Sequence, residues 1–91
     1  MRPLGIEEEM MEKLRVSVYP NPADEMVWVS VAKPEPFEVK ILDISGRLVK
    51  SFQFSELSLT APVNLTGLGS GIYTLLITEP NGTASVKLIK K

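Results

Sequence analysis

From residue 15 onward the chain is cut into short β-branched or aromatic runs by proline, glycine, asparagine and serine at nearly regular spacing. Such a rhythm leaves little room for anything but strands. Candidate strands fall at 15–19, 25–31, 37–44, 47–54, 59–65, 71–78 and 84–90. Side chains of a strand alternate between its two faces, and the sequence follows that period of two. Val27, Val29 and Val31 share one face against Trp28 and Ser30; Val39 and Ile41 alternate with Glu38 and Lys40; Tyr73, Leu75 and Ile77 alternate with Ile72, Thr74 and Leu76.

The run at 71–78 is apolar on both faces apart from threonine, as a central strand would be, whereas 37–41 alternates cleanly, as in a sheet with one wet face. Two packed sheets satisfy both patterns. A parallel sheet would need crossover helices, and no helical period interrupts the strands. The expected fold is therefore all-β, a seven-stranded antiparallel sandwich of the immunoglobulin-like kind, without the Cys, Trp, Cys spacing of true immunoglobulin domains. Ahead of it, residues 1–15 read as a linker with a short or frayed helix, because Ile6, Met10, Met11 and Leu14 complete only two turns of an apolar stripe. Residues 16–91 form the domain.

Composition removes most chemistries. The 91 residues include no cysteine and no histidine, so thiolate nucleophiles, disulfides, imidazole bases and the common zinc sites are excluded. Ten basic and eleven acidic side chains leave a net charge of −1, which offers a nucleic acid nothing to hold. No apolar run approaches the ~18 residues that span a bilayer, and residues 1–15 lack the apolar centre of a signal peptide.

The motifs are structural before they are functional. Pro20-Asn21-Pro22 fixes two φ angles and removes two backbone donors, so a strand ends there in a rigid corner, with Asn21 and Asp24 able to cap the turn. Asp43-Ile44-Ser45-Gly46-Arg47 reads as a tight hairpin with Gly46 at positive φ; a lone turn carboxylate is a poor calcium ligand. Three glycines, Gly67, Gly69 and Gly71, precede the apolar strand, but no Gly-Lys-Ser/Thr ending or following helix makes them a phosphate loop. Tyr73 is expected to bury its ring and give its hydroxyl to a backbone partner. Pro80-Asn81-Gly82 joins the last two strands, and its Asn-Gly step is the strongest hairpin signal, pinning the last strand to its neighbour. Lys87, Lys90 and Lys91 guard that strand against edge pairing or form a recognition surface. Trp28 is expected to pack under Phe52-Gln53-Phe54 or the amino-terminal segment, with a carbohydrate or protein contact as the alternative.

In their order along the chain, these blocks resemble the type A C-terminal sorting domain carried by cargo of the Bacteroidetes type IX secretion system. Carried over residue by residue, the marker turns are Pro20, Asn21, Pro22 and Asp43, Gly46, Arg47, and the recognition block is Gly69, Gly71, Tyr73 with the terminal strand Lys87, Leu88, Ile89, Lys90 and Lys91. The resemblance implies a non-catalytic label, without cofactor or metal, that directs an upstream cargo through the periplasm and outer membrane to the cell surface or medium. It further implies a type IX translocon and a sortase-like protease as partners, with cleavage in the 1–15 linker. The signal peptide would belong to the cargo, absent from this stretch. The presentation expected is of the terminal strand and adjoining loop to the translocon, by strand addition at an exposed edge. The competing class is a stand-alone immunoglobulin-like adhesion or carbohydrate-binding module, and edge-strand pairing could also make a homodimer. An enzyme would need convergent ionisable groups in a cleft, and the sequence supplies none.

Overall fold

The alternation of valine, isoleucine and leucine with polar residues builds seven strands among the residues that the computed structural model describes, 15–55 and 58–91. They are β1 (Val16–Tyr19), β2 (Met26–Val31), β3 (Phe37–Leu42), β4 (Leu48–Phe54), β5 (Thr60–Asn64), β6 (Gly71–Glu79) and β7 (Gly82–Lys90). All ladders are antiparallel, in a three-stranded sheet of order β1-β2-β5 and a four-stranded sheet of order β4-β3-β6-β7. The architecture is the all-β sandwich expected, and β6 is interior to its sheet. The expected linker or helix at 1–14 lies outside the described residues.

The core is what the period-two pattern puts between the sheets. Val27, Val29 and Val63 from one sheet meet Val39, Ile41, Leu75, Ile77 and Leu88 from the other, all fully buried. Phe37 closes one end against Phe54, with ring centroids 5.2 Å apart. Burying one such aliphatic side chain contributes about 1.5–3 kcal/mol. An exposed ion pair such as Lys40 with Glu38, at 4.0 Å, contributes at most about 1 kcal/mol, so packing and not surface charge holds the sheets together. On one flank, Lys50 donates to the backbone oxygen of Asn64 at 3.1 Å and ties edge strand β4 to edge strand β5.

Local chemistry moves several strand ends. The strand expected at 37–44 stops at Leu42, because Asp43 Oδ1 accepts from the backbone of Ser45 and Arg47, each at 3.0 Å, and from Ser45 Oγ at 2.6 Å. Those bonds divert the backbone into a turn and leave Ile44 exposed. Gly46 takes φ +88° there, as expected. In the last hairpin Glu79 faces Gly82, so the expected Pro80-Asn81-Gly82 connection tightens to the two-residue loop Pro80-Asn81. Proline's locked φ suits the first central position of an ordinary turn, which leaves Gly82 to enter β7 at φ +149°. Pro62 sits in edge strand β5 without breaking the ladder. Val31 N–H donates to Leu59 and Leu65 N–H to Glu25, both at 2.8 Å, so odd residues of this stretch face β2 and the missing donor of Pro62 points to the free edge.

Candidate functional site

The Pro20-Asn21-Pro22 corner and the last strand, at opposite ends of the described chain, are joined. Proline rings strip two of the corner's three residues of their donors, and the Asn21 carboxamide supplies what is missing. Its Nδ2 donates to the backbone oxygen of Lys87 at 2.8 Å, and its Oδ1 accepts from the backbone N–H of Ile89 at 3.0 Å. One residue beyond the second proline, Ala23 continues the contact through its backbone as an isolated bridge residue. Ala23 N–H donates to the oxygen of Ile89, and Lys91 N–H donates to the oxygen of Ala23, both at 2.8 Å, making a parallel bridge between Ala23 and Lys90. A carboxamide sets an N–H donor beside a carbonyl acceptor, as a peptide edge does, so Asn21 extends that bridge by one further pair.

This contact changes the picture of the terminal strand. Along 87–91 it is bonded on one side to β6 and on the other to the corner, so strand addition at this end would have to displace Asn21 and Ala23. Among the described residues, the open part of the edge lies toward the hairpin, at 83–85. The side chains divide just as sharply. Lys87, Ile89 and Lys91 face solvent, whereas Leu88 is buried and Lys90 is only 6% exposed. Lys90 therefore departs from its expected place on an open basic surface. Its amine lies 3.7 Å from Glu25 Oε2 and donates to the oxygen of Lys91 at 3.2 Å, partners that a buried ammonium requires.

The glycine-tyrosine block lies directly beside this strand. Gly71 faces Lys90, Ile72 faces Ile89 and Tyr73 faces Leu88 across the β6–β7 ladder. The Tyr73 hydroxyl donates to the oxygen of Gly69 at 2.7 Å, which closes the loop entering β6 back on its own strand. Gly69 has ordinary φ, while Gly71 takes φ +153°, a region that costs glycine least. Ile72 and Ile89, 43% and 41% exposed, make an apolar pair on the outer face of the sheet. In the next row Leu42, Thr74 and Lys87 align, so the Asp43-to-Arg47 turn sits at the same end, one strand beyond β6. Hydrogen bonds from Ser45 and Arg47, helped by the Arg47 guanidinium 3.2 Å from Oδ2, hold the Asp43 carboxyl down at about 2. Proline-asparagine-proline corner, glycine-tyrosine entry and lysine strand thus converge on one end of the sandwich, with the aspartate hairpin flanking it.

Sequence reasoning located these blocks but missed their contact, since no local signal links Asn21 to a strand 66 positions away. It also missed a second cluster. Glu79 is 7% exposed, and Glu79 Oε2 and Glu35 Oε1 are buried without a hydrogen-bond partner among the described residues. Burial pushes the Glu79 carboxyl up; the Glu35 charge adds to the shift and Lys33 opposes it. Trp28 corrects an expectation: Phe52 and Phe54 pair with Val39 and Phe37 on the inner side of their sheet, whereas Trp28 lies 42% exposed on the outer side of the other. Packing of Trp28 against residues 1–14 lies outside the described residues. Among the described residues no group of three or more Asp and Glu is placed to hold a metal ion, and no helix is long and apolar enough to cross a membrane.

The family model described as the secretion system C-terminal sorting domain matches residues 17–91, which takes in every strand but the first residue of β1 and every block of the site. The chain belongs to this family, the C-terminal sorting domain of type IX secretion. A sorting domain marks a protein for export toward the cell surface or beyond. Among solved structures, the sorting domain is similar to a DUF3244 family protein with an immunoglobulin-like β-sandwich fold from Bacteroides vulgatus. The two share 20% identity and a TM-score of 0.70, over 86% of this chain and 85% of that one. It is also similar to part of PorZ of Porphyromonas gingivalis, an essential bacterial surface component of the type IX secretion system. Here identity is 24% and TM-score 0.65, over 85% of this chain but only 11% of PorZ. At these identities the likeness is one of fold, and it places the sorting domain among immunoglobulin-like sandwiches. No curated protein matches its sequence.

Proposed function

We propose that this domain is a non-catalytic carboxyl-terminal signal that carries an upstream cargo across the periplasm to the type IX translocon and is then cut away within residues 1–15 by a sortase-like protease. The observation that carries this reading is the bonded terminal strand. With Leu88 and Lys90 turned inward and Asn21 fixing the backbone at Lys87 and Ile89, the domain holds Lys87, Ile89 and Lys91 in one geometry beside Ile72. A preset surface of this kind loses little conformational entropy when a partner binds it. Tyr73, Gly69 and Gly71 act beneath that surface by shaping the entry to β6, and Pro20, Asn21 and Pro22 act by clamping β7. No group in the reading makes or breaks a bond; the domain is recognised and then removed.

The reading is tested by placing a periplasmically exported reporter enzyme ahead of the chain in a Bacteroidetes host. Reporter activity should reach the medium or cell surface in a host with a working type IX system and stay periplasmic when the translocon gene is disrupted. Export that is indifferent to the translocon would refute the role. Reporter that reaches the surface with the domain still attached would refute cleavage alone.

A further inference from the structure

The two outer faces of the sandwich differ in kind. The four-stranded sheet presents charges, among them Glu38, Lys40 and Lys87, whereas no outward position of β1, β2 or β5 carries one. On this neutral face Tyr19 pairs with Trp28 and Trp28 with Pro62, which puts three rings in a single row across all three strands. Two strand spacings of about 4.8 Å make the row about 10 Å long. The rings are open, Tyr19 at 46% and Trp28 at 42% exposure; Trp28 points outward because its neighbours Val27 and Val29 are committed to the core. Single exposed aromatics are ordinary, but a contiguous row across a sheet is not.

A second row runs beside the first. Ser17 pairs with Ser30 and Ser30 with Thr60, a line of hydroxyls two residues, or about 7 Å, along the strands from the rings. On the other side Asn64 pairs with Met26 and adds a carboxamide. We propose that this face binds a neutral saccharide chain lying across β1, β2 and β5. A sugar ring has C–H faces and a rim of hydroxyls, so its faces would lie on Tyr19, Trp28 and Pro62 while its rim exchanges hydrogen bonds with Ser17, Ser30 and Thr60. A charged glycan finds no counter-charge here. An apolar peptide would leave the hydroxyl row unmatched, at the cost of polar groups desolvated without partners. Rows that run across three neighbouring strands suit an extended chain and not a small enclosed ligand. This site is on the opposite sheet from the terminal strand and stands or falls independently of the secretion role.

Trp28 is the sole tryptophan of the chain, so its emission reports this face alone. The intact chain is titrated with hexasaccharides of glucose, mannose, xylose and N-acetylglucosamine, and with oligogalacturonate as the charged control. At least one neutral hexasaccharide should shift the emission saturably. Tyr19→Ala should weaken that binding by about tenfold, Trp28→Phe should retain part of it by calorimetry, and Gln53→Ala on the other sheet should leave it unchanged, with each fold checked by circular dichroism. No shift with any neutral hexasaccharide, or a shift with oligogalacturonate alone, would overturn the proposal. So would an emission change that follows protein concentration together with a dimeric solution mass, since that outcome gives the face to a second copy.

Discussion

Ile89 donates its backbone N–H to the Asn21 side chain at 3.0 Å, across 68 positions of sequence. Together with the bond from Asn21 to Lys87, this makes one carboxamide the link between the first corner of the sandwich and its last strand. Asn21→Ala removes both bonds at a partly wet site and should cost about 1–2 kcal/mol. Hydrogen exchange should show the Ile89 amide losing protection while β3 keeps it. Asn21→Asp keeps an acceptor for Ile89 but sets a carboxylate against the Lys87 carbonyl, so it should be no better than alanine near neutral pH.

Acid should act on the domain in two opposite senses. Asp43, held at about 2, stabilises the fold above its ordinary pKa of 3.8 and loses that contribution as pH falls toward 2. Glu79 is raised from 4.5, so its contribution is fully present below 4.5 and is lost as pH rises through the elevated value. Thermal melts should therefore show Glu79→Gln above the parent chain at neutral pH, with the gap closing on acidification. Asp43→Asn should melt below the parent at neutral pH and converge with it toward pH 2.

Strand count and face assignment were legible because burial in a sandwich obeys a period of two, which among the described strands slips only where β4 skips a residue opposite Ile41 and Leu42. Val27, Val29, Val39, Ile41, Leu75 and Ile77 all fall where alternation puts them. Strand ends were less legible because local chemistry competes for the backbone: the Asp43 carboxylate ends β3 early, and the last hairpin closes more tightly than expected, with Gly82 already paired to Glu79. The blocks of the site were visible as local turn chemistry. Their convergence was not, because the Asn21 contact and the burial of Lys90 are long-range consequences of how the corner meets β7.

Core packing sets the scale of stability. Ile77→Ala empties a fully buried position between the sheets and should cost about 2–5 kcal/mol. Urea denaturation should register most of the stability of a domain this small. Ile72→Ala, at an exposed position five residues earlier in the same strand, should change the midpoint little.

Tyr73→Phe keeps the ring and removes the hydroxyl that Gly69 accepts from, so a loss of about 1 kcal/mol is expected. The same variant should raise proteolytic nicking in the loop at 66–70 without loosening the Asp43 hairpin, as limited proteolysis with mass mapping would show.

The central claim is that the bonded terminal strand is the part of the domain that secretion depends on. It is tested most directly by measuring the secreted fraction of a reporter fused ahead of the intact chain, of the chain lacking residues 86–91 and of Asn21→Ala, in one type IX-competent Bacteroidetes host. The account predicts that the intact chain delivers the reporter to the surface or medium, that the deletion traps it inside the cell, and that Asn21→Ala falls between them. Undiminished secretion after deletion of residues 86–91 would contradict it.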